Sequence, residues 1–302
     1  MTWTSWKDDY VESLKSRGLS PATVAMRQTW LSRLEAFCET LDLAEPVAVT
    51  LEHLEAWRDT LEAASARGTL LIALWSIRGF FGWAWRSGRL LVNPAADLVV
   101  PQARFCSTRL LTPEQVECLL TPPEPATPVA LRNWAVLETL YGTAIRRGEC
   151  QALDLLDADL RDGTLRIRHG KGRHSRVVPL GPHLVRVLDT YLQHARRHLA
   201  ATAPGEPALF VGRGGERLGN VAIGLLVRQA GWRIGLPTLA PHALRRACAT
   251  HTLAAGADLQ SVQQLLGHAS PDTTEHYTSI SWEQIKAEHG RTHPRAVPPS
   301  DN

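Results

Sequence analysis

The chain has 302 residues, 44% of them apolar and 21% charged, with a formal net charge of +3. That length favours two compact domains over one, and the composition supports ordinary buried cores with disorder confined to the ends. Five cysteines without a C-x-x-C pair exclude a disulfide framework and a zinc site, and no apolar run reaches the roughly 18 residues of a membrane span.

The N-terminal stretch Met1 to Asp9 carries acids and lacks an apolar run, so it does not read as a signal peptide. Reduced thiols and a cytoplasmic location are expected. The first hundred residues read as helical. Ser20 and Pro21 open a helix of about five turns through Val24, Trp30, Leu31, Leu34 and Phe37. Thr50 caps another through Leu54 and Trp57, and Thr69 begins an apolar stretch through Leu74, Ile77, Phe80, Phe81 and Trp85. The aromatic stripe predicts bundle core rather than a ligand-stacking platform.

Apolar periodicity lapses after Asp97, which predicts an extended linker over 99–109 between domains at 1–98 and 110–290, with a flexible tail at 291–302. Thr112-Pro113-Glu114-Gln115 opens the second domain, and Thr127 to Tyr141 carries a further helix. Thr164 to Arg168 and Ser175 to Leu180 alternate apolar and basic residues around Gly170-Lys171-Gly172, a β-hairpin with arginines on one face and Lys171 near its tip.

Charge is uneven. Residues 1–100 hold 10 Lys/Arg against 12 Asp/Glu, and residues 101–302 hold 23 against 18. Arg161, Arg166, Arg168, Lys171, Arg173 and Arg176 fall within sixteen residues, a field suited to a phosphate backbone or, equally, a solvated hairpin.

The chemistry-bearing residues concentrate near the C-terminus. His242 and Arg245 stand three apart at the start of a helix, on one face. Leu259 to Leu266 reads as a short helix capped by Asp258 and stopped by Gly267, so that His268 leaves it at a fixed point. Ser270-Pro271-Asp272 starts another helix that places Tyr277 about two turns in. A tyrosine needs a base and cations to act as a nucleophile, because its phenol pKa is about 10. Taken alone, each of these residues reads as ordinary surface or core.

Together they do not. Ala144-Ile145-Arg146-Arg147-Gly148-Glu149, Gly170-Lys171-Gly172, His242-Ala243-Leu244-Arg245, Leu266-Gly267-His268 and Tyr277 resemble, in order, the motifs of the tyrosine recombinase (phage integrase) family. Gly18 to Thr23 and Gly88 to Pro94 resemble that family's core-binding domain, so the likeness covers nearly the whole chain. The length and the tail Arg291 to Ala296 resemble the Xer-type members, with two departures: Ala144 where those proteins usually carry glycine, and Arg246 where they carry a second histidine.

The resemblance implies a mainly α protein with a small β-sheet in its second domain: an N-terminal helical core-binding domain, then a mixed α+β catalytic domain. It implies cleavage and rejoining of double-stranded DNA at a specific site through a 3′-phosphotyrosyl link on Tyr277. Arg146 and Arg245 would bind the non-bridging oxygens, His242 would serve as base, Lys171 as acid and His268 as a phosphate-orienting group, with Glu149 steadying Arg146. No cofactor and no metal is expected. His194 and His198 are spaced as metal ligands can be, but with no third ligand nearby they read as an exposed helix face. Both domains would clamp the DNA, and a tetramer would form on two sites, with or without a second related recombinase. The segment Ser281 to Arg295 would dock on a neighbouring protomer. Chromosome or plasmid dimer resolution and movement of a mobile element are the roles implied. The alternative is relaxation of supercoils in the manner of a type IB topoisomerase.

Overall fold

The computed structural model describes residues 2–101, 110–168, 175–267 and 282–295, with the side chains of 282 and 283 left aside. The chain divides into two compact units, Met1–Cys106 and Ser107–Asn302.

The described residues of the first unit form the α-helices α1 (Trp3–Ser16), α2 (Pro21–Glu39), α3 (Leu51–Ala64) and α4 (Arg67–Arg86). Local chemistry sets their starts. Ser20 Oγ accepts the Thr23 N–H at 3.2 Å with Pro21 in the first turn, and His53 Nδ1 reaches back to the Thr50 N–H at 3.1 Å. The core gathers on Phe80, whose ring lies 6.2 Å from Trp3, 5.4 Å from Tyr10 and 5.1 Å from Phe81. Edge-on and offset pairs of this kind add specificity to the area they bury. Trp3, Trp6, Trp30 and Trp57 are core, as expected of the aromatic stripe, but Trp85 is half exposed. It follows buried Ala84 by one residue, about 100° round the helix and off the packed face.

The second unit wraps helices around α6 (Pro128–Gly142), whose residues from Ala135 to Gly142 are all buried. Packed with it are α5 (Pro113–Leu119), α7 (Arg147–Ala152), α8 (Pro182–Tyr191), a π turn (Leu192–Arg196) leading into α9 (Arg197–Leu199), α10 (Asn220–Arg233) and α11 (Pro241–Ala254). Thr112 and Gln115 close a reciprocal capping box at α5, and Thr127 caps α6. α12 (Leu259–Leu266) starts on Asp258, which accepts the Ser261 N–H at 2.9 Å, and stops at Gly267 with φ +64°. The chain then reaches α13 (Trp282–Thr292). Among the described residues no helix is long and apolar enough to cross a membrane.

The sheet has three antiparallel strands, β1 (Ala158–Asp159), β2 (Thr164–Ile167) and β3 (Arg176–Pro179), in that order. Leu165 faces Val178 and Ile167 faces Arg176. Cross-strand partners share a face, so Arg176 lies on the buried side and not with exposed Arg166. The expected single basic face is corrected accordingly. Arg168 pairs with Asp154 and Asp157, and Arg176 with Glu149, which leaves less open positive charge than the residue count suggests.

The described residues of the C-terminal segment pack against their own chain: His289 Nε2 donates to the Gly142 carbonyl at 3.1 Å, Lys286 to the Asp162 carbonyl at 2.8 Å, and Arg295 pairs with Glu138. His289, Thr292 and His293 are buried.

Candidate active site

Three segments meet at one cleft of about 420 Å³, lined by Ile145, Arg146, Arg147, Gly148, Asn220, Ala240, Pro241, His242 and Arg245. The turn from α6 to α7 supplies Arg146 at the N-cap of α7, and α11 supplies His242 and Arg245 from its first two turns. Three of the six sequence-expected site residues, Arg146, His242 and Arg245, are thereby brought together. Lys171, His268 and Tyr277, with the helix expected from Pro271, lie outside the described residues.

Glu149 organises the arginines. Its Oε1 accepts from Arg146 Nη1 and Arg176 Nη1, each at 2.9 Å, and its Oε2 accepts from the Arg146 backbone N–H at 2.8 Å and Arg176 Nη2 at 2.9 Å. All four acceptor directions of the carboxylate are used. Burial works to raise its pKa, but the bonds from Arg176 and Arg146 outweigh burial and hold it below the ordinary carboxylate range. Glu149 does steady Arg146, as expected. Arg176 had no assigned place in the site, and the signal for it is the hairpin register, which sequence alternation alone does not fix.

Arg245 is held differently. Only 5% exposed, it donates Nη1 to the Ala144 carbonyl and Nη2 to the Leu266 carbonyl. Neutral carbonyls position a guanidinium without neutralising it. Burial, with the charge of Arg146 adding, pulls its pKa down to about 10, so it stays protonated at neutral pH in a place that disfavours the charge. The carbonyl of Ala144 is aimed by a left-handed backbone, φ +52°, which costs an L-residue roughly 1–2 kcal/mol. This explains why glycine suits the position. Arg176 Nε adds a bond to the Leu265 carbonyl at 3.3 Å, so two successive carbonyls of α12 are tied to site arginines.

The guanidinium charges of Arg146, Arg176 and Arg245 stand against the one carboxylate of Glu149, Arg147 lines the same cleft, and three N–H groups of Arg245 lie outside its two carbonyl bonds. Such a site is preorganised for an anion with several oxygens. A family model described as the phage integrase family matches residues 109–284. The chain belongs to this family.

Within the phage integrase family, the tyrosine recombinase XerC 2 of Ralstonia nicotianae is 37% identical over 307 residues, spanning 99% of this chain and 88% of that relative. The tyrosine recombinase XerC of Bifidobacterium longum is 32% identical over 346 residues, spanning 96% and 97%. Among solved structures, a lambda integrase tetramer bound to a Holliday junction aligns with TM-score 0.69 at 19% identity, covering 93% of this chain and 81% of that one. The mainly helical fold with its small sheet is therefore that of the phage integrases. The Xer-type resemblance of the sequence holds as well, and site-specific recombination through a tyrosine is the activity of this class.

Proposed function

We propose that the chain exchanges DNA strands with Tyr277 as nucleophile and the described cleft as the seat of the scissile phosphate. The bond from the Tyr277 oxygen to phosphorus forms as the bond from phosphorus to the 5′-oxygen breaks. The phenol proton passes to His242, and the 5′-oxygen takes a proton from Lys171. Arg146 and Arg245 hold the non-bridging oxygens, and His268 orients the phosphate. Reversal by another 5′-hydroxyl rejoins the strands without an external energy source.

The observation that carries this reading is the buried Arg245, positioned by two carbonyls and with no carboxylate salt bridge among the described residues. A phosphodiester supplies the counter-charge. Loss of Arg146 or Arg245 should cost roughly 10²–10³-fold, in line with other electrostatic donors. The working assembly is a tetramer on two DNA sites in the cytoplasm, with or without a second recombinase, serving dimer resolution or the movement of a mobile element.

The test uses nicked suicide duplexes prepared from DNA that becomes covalently trapped on the protein in its host. Wild-type protein should form a 3′-phosphotyrosyl adduct, and Tyr277→Phe should bind the duplex yet form none. An adduct from Tyr277→Phe at the wild-type rate would overturn the assignment. Holliday junctions from two duplexes should appear; relaxation of supercoils without them would favour the topoisomerase reading.

A further inference from the structure

Arg146 and Arg147 are consecutive, but they do different things. Arg146 is the extended N-cap of α7 and Arg147 its first helical residue, so their side chains leave the backbone in different directions. Arg146 turns back onto Glu149, whereas Arg147 crosses to α10 and lies over Gly224. A Cβ at residue 224 would stand 3.1 Å from Arg147 Nη1, so the guanidinium occupies the space a side chain there would take. Glycine inside a helix costs roughly 1 kcal/mol relative to alanine. The seat it leaves for Arg147 gives that cost a purpose.

Arg147 is exposed, lines the same cleft as Arg146, His242 and Arg245, and has no carboxylate partner among the described residues. One turn before Gly224, Asn220 also lines the cleft, and its Oδ1 is buried with no hydrogen-bond partner among the described residues. The cleft thus carries, against α10, a cation from α7 that has no carboxylate partner among the described residues.

We propose that Arg147, seated on Gly224, is a second phosphate anchor, binding the DNA backbone phosphate that flanks the scissile one and so setting the register of the strand in the cleft. Phosphates recur every ~3.4 Å of axis along one strand, so a scissile phosphate held between Arg146 and Arg245 brings a neighbour to the adjacent arginine. Arg147 takes no part in the bond exchange. The inference rests on the recombinase reading of the cleft and adds a positioning residue to it.

Full-length protein is titrated with a random-sequence 30-bp duplex over 50–200 mM salt, and adduct formation is followed on the trapped suicide duplex. Arg147→Ala should flatten the slope of log K against log salt by about 0.9, so that about 3.5-fold less affinity is lost over that range. The larger part of its adduct deficit should lie in the half-saturating DNA concentration; for Arg146→Ala it should lie in the saturated rate. Arg147→Lys should recover the slope. Gly224→Leu, which fills the seat while improving helix propensity, should match Arg147→Ala in slope without losing thermal stability. A neutral methylphosphonate at one flanking position should weaken wild-type binding and leave Arg147→Ala unchanged. A wild-type slope in Arg147→Ala, or additive losses with methylphosphonate at every flanking position, would overturn the anchor. Absence of any adduct from the wild-type protein would instead remove the recombinase reading beneath it.

Discussion

Glu149→Gln is the perturbation whose size the structure fixes best. Each carboxylate oxygen takes two N–H donors, so whichever way the new amide turns, its NH₂ faces two of them. Two charge-assisted bonds are lost, each worth roughly 1.5–3 kcal/mol, and breaking a buried ion pair from one side costs about 3–5 kcal/mol. The two routes agree. For a unit of this size that lowers Tm by roughly 10 °C. The pH dependence has a definite sign. Because the folded pKa of Glu149 is depressed, its contribution is complete above the ordinary carboxylate value of about 4.3 and is lost as pH falls through the folded pKa. Urea unfolding of both proteins at several pH values should show a gap near 4 kcal/mol at pH 7 that narrows in acid. A gap under about 1 kcal/mol, or one that does not change with pH, would refute the four-bond arrangement as the support of Arg146.

Three other outcomes are expected. Lys171→Ala should cleave slowly, and replacing the bridging 5′-oxygen by sulfur should restore cleavage, since a thiolate with conjugate-acid pKa of about 8.5 leaves unaided; failure of the rescue would remove the acid assignment. Ala144→Gly should change stability by less than about 1 kcal/mol, because relief of the left-handed backbone is offset by lost methyl burial and a freer unfolded chain. Ala144→Val adds a branched side chain in a fully buried left-handed position, so it should cost roughly 3 kcal/mol and reduce cleavage with it; equal stability of the two variants would argue against that backbone. Finally, His289 and His293 stack at 4.6 Å, and burial pushes both imidazoles below their usual pKa, near Arg295, His251, Glu138 and Tyr141. Docked histidines stay neutral while detached ones take up protons, so attachment is strongest above about pH 6.5 and weakens as pH falls. Proteolysis within residues 282–295 should be faster at pH 5 than at pH 7.5, and His293→Phe should flatten the difference.

What the sequence made legible was local. Caps at Ser20, Thr112 and Asp258 and the stop at Gly267 are set by residues within four positions, so pattern alone found them. The arginine and histidine motifs were visible because their spacing is itself the signal. What escaped depends on distant contacts: Arg176 meets Glu149 across 27 residues, and Arg245 meets Ala144 across 101. β1 has two residues, too few to show a period. Ala144 looked like a minor departure from glycine, and only the backbone angle reveals what that position demands. The contacts of the C-terminal segment with its own chain also escaped, because they run through His289, Lys286 and Arg295 rather than through its few apolar residues.

The ties from Arg176 and Arg245 to the end of α12 use main-chain oxygens of Leu265 and Leu266, two residues short of His268. Every amino acid carries such an oxygen. Drift at residue 266 therefore leaves the link between α12 and the anion site intact, while a single inserted or deleted residue between 259 and 267 shifts both carbonyls off their guanidinium partners. A library of variants across this stretch would separate into two populations, substitutions at 266 that keep strand exchange and length changes that lose it.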